Sequence, residues 1–302
     1  MKLTDFINKI NRRIHLALFL KNSKKINIII KNLLKKNLLT IVDIGAGNRY
    51  LNNLINFDGA AKIALVDPHK SINWAFNNLR NKLNNKNLLS FYQVGIGTKT
   101  QKKELFLSRR PTGSTFINVH KIARQKKIKI DMEYFSKEKI KVNIFSFYDF
   151  LKKNLLSKPD IIKIDTEGLE IKVIKSILSC CKPTLIEIET NINSSLYGDT
   201  FSSVNKILKE SNYQLKAIYP SYKGSSKPFL EGDYYYPKRR SLLEQVDCIY
   251  VRKTSILEKK IAILIGWGFI QEAFELYKKN PTKLKNKCKN KLKDFFYNLK
   301  II

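Results

Sequence analysis

The sequence predicts an α/β fold with an open, mostly parallel sheet, one antiparallel strand that closes it, and helical extensions at both ends. Three observations carry this. From residue 39 onward, apolar runs of strand length alternate with helical patterns. The first two runs each end in an acid beside a turn former, in "VDIGAG" and "VDP". The last two strand-like runs, "YQLKAIYP" and "VDCIYVRK", have no helix between them, so they pair antiparallel.

Residues 1–38 read as a basic helix, because "FINKINRRIHLALFL" repeats apolar residues at three and four. "NLLTIVDIGAG" is a strand running into a glycine turn, followed by a short helix at "LNNLINF". "AKIALVDPHK" is the second strand, "INWAFNNLRNKL" a helix and "LLSFYQVGIG" the third strand. That alternation implies parallel strands with right-handed crossovers. "KKELFLSRR" reads as a short strand and "PTGSTF" as a turn, while residues 117–139 show little pattern. "IKVNIFSF" is a strand and "YDFLKKNLL" a helix. "DIIKID" is then a strand, "TEG" a turn and "LEIKVIKSILS" a helix, with "KPTLIEIET" the next strand and "SVNKILKESN" a helix. A long loop at 221–245 separates the last two strands, and helices with a basic tail follow from 255. The expected organisation is an N-terminal extension at 1–38, a ligand-binding domain at 39–254 and a C-terminal extension at 255–302.

Lys and Arg number 57 against 25 Asp and Glu, a formal net charge of +32. Such a charge admits nucleic acid or an anionic membrane surface as a partner. The lysines are scattered rather than gathered in one stripe, and Lys, Asn and Ile are abundant throughout, which favours compositional drift. Hydrophobic residues make up 43%, enough for a sizeable core. Cys180, Cys181, Cys248 and Cys288 have no metal-binding spacing, and only His15, His69 and His120 could assist, so no metal site and reduced thiols are expected. The N-terminus lacks signal-peptide form, and "IAILIGWGFI" at 261–270 is about half a membrane span. A cytoplasmic protein is expected, with peripheral contact at the inner face of the membrane admitted.

The candidate ligand site gathers at the strands' carboxyl ends, where open parallel sheets bind ligands. Asp43 ends the first strand, before Gly45, Ala46 and Gly47, whose backbone can approach a ligand closely. A carboxylate there suits an ammonium group and discourages a pyrophosphate, which favours S-adenosylmethionine over a dinucleotide. Asp67, ending the second strand, can accept hydrogen bonds from ribose hydroxyls; capping a helix next to Pro68 is the alternative. His69 reads as a surface loop residue. The chain spends three of its few acids on Asp165, Glu167 and Glu170. Asp165 ends what should be a central strand and faces the same crevice. Glu167 and Glu170 also favour the start of the next helix through its dipole. Glu187 and Glu189 end the following strand as further candidates, one of them free to satisfy a buried neighbour.

"IIKIDTEGLEIKVI" resembles the signature of the FkbM-type methyltransferases, class I enzymes with a Rossmann-like sheet. "VDIGAG", "VDP", "VGIG", the "GST" of Gly113 to Thr115, "IKVNIFSFYDFL" and "VDCIYVRK" are similar to further pieces of that family, in the same order, over roughly residues 39–253. Arg49 stands where the family's loop usually has a further glycine, and Tyr148 where it has an acid before Asp149. The resemblance implies methyl transfer from S-adenosylmethionine to a hydroxyl, on a glycan or other small or lipid-linked acceptor. Asp165 or Glu167 would orient or deprotonate that acceptor, and Tyr234, Tyr235 and Tyr236 could stack on sugar rings. The competing readings are an RNA methyltransferase, favoured by charge but lacking an N-P-P-[YF] motif, and a non-catalytic membrane or assembly protein on the same scaffold. The paired final strands and Asp43 disfavour a nicotinamide enzyme.

Overall fold

A computed structural model of the chain describes residues 23–35, 37–47, 52–109, 113–127, 135–192, 200–221, 245–284 and 286–298. In chain order the strands are β1 (Leu39–Ile44), β2 (Ala61–Val66), β3 (Leu89–Tyr92), β4 (Gly95–Gly97), β5 (Gln101–Ser108), β6 (Phe135–Ser146), β7 (Ile161–Ile164), β8 (Leu185–Asn191), β9 (Tyr213–Ser221) and β10 (Gln245–Arg252). Seven of them form one sheet in the order β3-β2-β1-β7-β8-β10-β9. All six residues of β1 are buried, as a central strand covered on both faces requires. β1 lies parallel to β2 and β7, and β7 parallel to β8. β10 runs antiparallel to both β8 and β9. The fold is therefore the Rossmann-like α/β sheet the sequence predicts, with one reversed strand.

Helices cover both faces. One core cluster joins Leu39, Ile41, Ile63, Leu65, Ile161, Leu185 and Ile249 of the sheet to the helix at residues 23–34 (α1), a 3-10 helix at Asn52–Phe57 and α2 (Ile72–Lys82). The second joins Val42, Ile44, Ala64, Ile162, Ile164, Ile186 and Ile188 to α4 (Phe147–Lys153), α5 (Glu170–Leu178) and α6 (Phe201–Glu210). A further helix, α3 (Val119–Lys126), precedes α4. The alternation of odd and even positions between the two clusters is the period-2 signature of strand side chains.

The C-terminal helices are α7 (Leu257–Trp267), α8 (Ile270–Lys279) and α9 (Asn286–Asn298). In α7, Ile261, Ala262, Ile263, Leu264 and Ile265 are fully buried in the first cluster, which explains why "IAILIGWGFI" is apolar all round. The helix stops at Gly268, which takes φ +94, a left-handed conformation suited to glycine. Among the described residues no helix is long and apolar enough to cross a membrane.

The structure departs from the sequence reading in two places. "LLSFYQVGIG" is two strands, β3 in the main sheet and β4 in a separate three-stranded sheet ordered β4-β6-β5. The break follows a tight turn in which Val94 N–H donates to Tyr92 O at 3.0 Å. The patternless stretch 117–139 contains α3, whose N-cap Asn118 accepts from Lys121 N–H. The reversed strand β10 pairs with β9 as the sequence predicts and lies between β8 and β9. The N-terminal helix reading at 1–22 and most of the loop at 221–245 lie outside the described residues.

Candidate active site

The glycine turn after β1 and the turn after β7 are built against each other. Gly45 takes φ +82, and a Cβ on it would sit 1.7 Å from the backbone oxygen of Asp165. The glycine is thus demanded by the protein's own backbone. Asp165 N–H donates to Ile44 O at 2.9 Å, and Gly45 N–H to Val66 O at 2.8 Å, so the ends of β7, β1 and β2 converge. Asp67 adds to this junction: its two carboxylate oxygens accept Gly47 N–H at 2.9 Å and His69 N–H at 2.7 Å. The N-cap of α2 is Ser71, so Asp67 is not that helix's cap. Each Asp67 oxygen keeps further acceptor capacity. Burial pushes its pKa up to about 6 against the lowering by those two N–H groups.

Asp43 is 1% exposed. Neither of its carboxylate oxygens has a hydrogen-bond partner among the described residues. Burial raises its pKa, opposed by the Lys163 ammonium, whose Nζ lies 3.7 Å from Asp43 Oδ1. Lys163 Nζ donates instead to Asp165 Oδ2 at 2.9 Å. Burial acts to lower the Lys163 pKa, yet Asp165 and Asp43 together raise it, so the amine stays charged. The strand register sets Asp43, Lys163 and Glu187 side by side across β1, β7 and β8. Glu187 Oε2 accepts the Trp267 indole N–H from α7 at 2.7 Å, and burial pushes the Glu187 pKa up to about 7. Of the two acids ending β8, Glu187 is therefore the one that satisfies a buried neighbour.

Asp165, Glu167 and Glu189, all half-buried, bring carboxylate oxygens within 4.8 Å of one another. This acidic mouth lies beside the glycine turn, and its first member is already engaged by Lys163. Glu167 adopts φ +49 in the turn, and its carbonyl accepts Thr115 Oγ1–H at 2.7 Å, tying the "GST" loop to the signature. Glu170 has a different job. Its Oε1 accepts Thr166 N–H, the Thr166 hydroxyl and Gly168 N–H, which caps the turn leading into α5. Asp149 likewise works locally at α4, accepting from Thr100 Oγ1.

The structure thus brings Asp43, Gly45, Ala46, Gly47, Asp67, Asp165 and Glu167 to the carboxyl edge of three neighbouring strands. Arg49 and Tyr234 to Tyr236 lie outside the described residues. Sequence reasoning missed Lys163 and Trp267. A lysine inside the apolar "IIKI" was the visible signal for the first; the second is 80 residues from its partner and left none.

The Methyltransferase FkbM domain family matches residues 43–215. Similar solved structures include the methyltransferase FkbM from Methylobacillus flagellatus KT, at 13% identity and TM-score 0.38, covering 71% of this chain. This chain spans 43% of the length of that protein. Magnesium protoporphyrin IX methyltransferase ChlM from Synechocystis PCC 6803, solved with bound SAM, shows 11% identity and TM-score 0.37 over 78% of this chain and 81% of its own. N-methyltransferase NodS from Bradyrhizobium japonicum WM9, in complex with S-adenosyl-L-homocysteine, shows 8% identity and TM-score 0.33 over 76% and 87%. No curated protein matches the chain.

Proposed function

Because the chain belongs to the FkbM methyltransferase family, we propose that it transfers a methyl group from S-adenosylmethionine to a hydroxyl of a glycan or other small or lipid-linked acceptor. The observation that carries the cofactor reading is Asp43, a buried carboxylate with both oxygens unpartnered among the described residues. A buried carboxylate without a donor is costly. An ammonium group from a ligand would supply that donor. The surroundings agree in sign. Among the described residues, three carboxyl groups, on Asp43, Asp165 and Glu187, face the ammonium of Lys163.

Asp43 would hold the amino-acid end of the cofactor, and Asp67 the ribose hydroxyls through its remaining lone pairs. The backbone of Gly45, Ala46 and Gly47 would line the passage between them. When bound, S-adenosylmethionine supplies an electrophilic methyl on a sulfonium, so the protein's task is alignment and proton handling. Asp165 or Glu167 would accept the hydrogen bond of the acceptor hydroxyl and take its proton, which typically contributes about 10²–10⁴-fold. Glu189 shares that mouth and could orient the same hydroxyl.

Thermal-shift measurements test the class before the substrate. S-adenosylmethionine and its demethylated product should raise the melting temperature, and NAD should not. A rise with NAD alone would remove the proposal. The charge of +32 supports one second reading, methylation of RNA. It would be marked by RNA binding that weakens steeply with salt.

A further inference from the structure

We propose that Lys163 is a positioning residue that sets how tightly the crevice grips the amino-acid end of its cofactor, acting through Asp43. The inference rests on the cofactor reading above and goes beyond it by assigning the residue that keeps Asp43 fit for the task.

Lys163 is a lysine in a central strand, between the fully buried Ile162 and Ile164. Its side chain is only 12% exposed. Placing an ammonium there is costly unless carboxylates face it. Here three do: Asp165 and Asp43 by distance, and Glu187 by register. The distances divide their roles. At 2.9 Å the ammonium donates a hydrogen bond to Asp165 Oδ2, while at 3.7 Å from Asp43 Oδ1 it stands beyond ordinary hydrogen-bond distance, as an ion pair. A buried carboxylate with no facing cation takes up a proton and loses its attraction for a cationic ligand. Lys163 opposes that without occupying either Asp43 oxygen. The ammonium thereby favours the charged form of Asp43 against its burial and leaves its acceptor sites open.

The neighbours preserve the arrangement. Glu187 could compete for the ammonium, but its Oε2 is drawn away by the Trp267 indole. Asp67, just past the end of β2, is anchored by Gly47 and His69 N–H groups. Asp165 is tied by its own backbone to β1, so the Lys163–Asp165 bond fixes the ammonium relative to the glycine turn. A lysine that merely filled space would need no such separation between one carboxylate bonded and one left open.

Calorimetry with two ligands tests this on the full chain. S-adenosylmethionine carries the amino-acid end; methylthioadenosine keeps the adenosine and sulfur but lacks that end. Lys163→Met should weaken S-adenosylmethionine about tenfold or more, the scale of one charge-assisted hydrogen bond, and leave methylthioadenosine within about twofold. Lys163→Arg should restore most of the preference. Equal losses for both ligands, or unchanged S-adenosylmethionine affinity in Lys163→Met, would overturn the assignment. Should Lys163→Met fail to fold, Lys163→Gln keeps a hydrogen-bonding group toward Asp165 but no charge, and the same selective loss is expected; a retained preference would overturn it. A wild-type chain that binds neither ligand would instead remove the cofactor reading itself.

Discussion

At the scale of single residues, the crevice trades stability for charge. Asp43 is buried with no hydrogen-bond donor among the described residues, yet it also faces the Lys163 ammonium, so Asp43→Asn relieves one cost and removes one of the charges that Lys163 needs. The same substitution should weaken S-adenosylmethionine about tenfold or more, read by calorimetry. Asp67 gives the pH signature. Its folded-state pKa, about 6, lies above the ordinary carboxylate range, so the folded protein takes up its proton first as pH falls. This group's contribution to stability therefore rises as pH falls through about 6. Cofactor affinity should move the other way, level above about pH 7 and falling below about 6, because a neutral carboxyl gives up the acceptors that ribose would use. Titrating binding and melting temperature together over pH 5–8 separates the two trends. Glu170, five residues from Asp165, serves the turn before α5, in keeping with its reading as a helix-start acid.

Elements carry the next layer of the argument. The 3-10 helix after the glycine turn rests on α7, where Gly266 lies under the Phe57 ring and its carbonyl accepts Asn56 Nδ2–H at 2.7 Å. A Cβ at 266 would come within 2.2 Å of that fully buried ring. Gly266→Ala should therefore lower stability by about 1–3 kcal/mol, measured by urea denaturation. Most of the elements were legible, because apolar runs such as "LTIVDI" and "IIKI" ending in turn residues have few alternative readings. The antiparallel pairing of β9 with β10 was legible from the missing helix between them. The insertion of β10 between β8 and β9 was not, since strand order is decided by which neighbour completes the ladder. The β3–β4 break escaped for a related reason: hydrophobic pattern says that a segment is a strand, not which sheet it joins. The candidate site was legible where an acid met a turn, at Asp43, Asp67 and Asp165. It was illegible where long-range packing chose the partner, as with Lys163 between two carboxylates and Trp267 on Glu187.

For the molecule as a whole, α7 is part of the core. Its fully buried run shares a cluster with β1, β2 and β8, and Lys259 Nζ bonds Asp160 Oδ1 at 2.8 Å just before β7. Cutting the chain after residue 256 would expose that face of the sheet. The truncated protein should be aggregated or unfolded by size-exclusion chromatography and circular dichroism, although the family match ends at 215. Among the described residues, single lysines are found beside local acids, as in Lys139–Glu104 and Lys216–Glu272.

The indole at the end of the charged row has a spectroscopic consequence. The chain carries two tryptophans, and they differ sharply in surroundings: Trp74 is 57% exposed, while Trp267 is 4% exposed and bonded to Glu187. Solvated indoles emit to the red and enclosed ones to the blue, so the blue share of the fluorescence comes from beside the crevice. The protein is born with its own optical label there, and occupancy of the crevice can be followed in unmodified material.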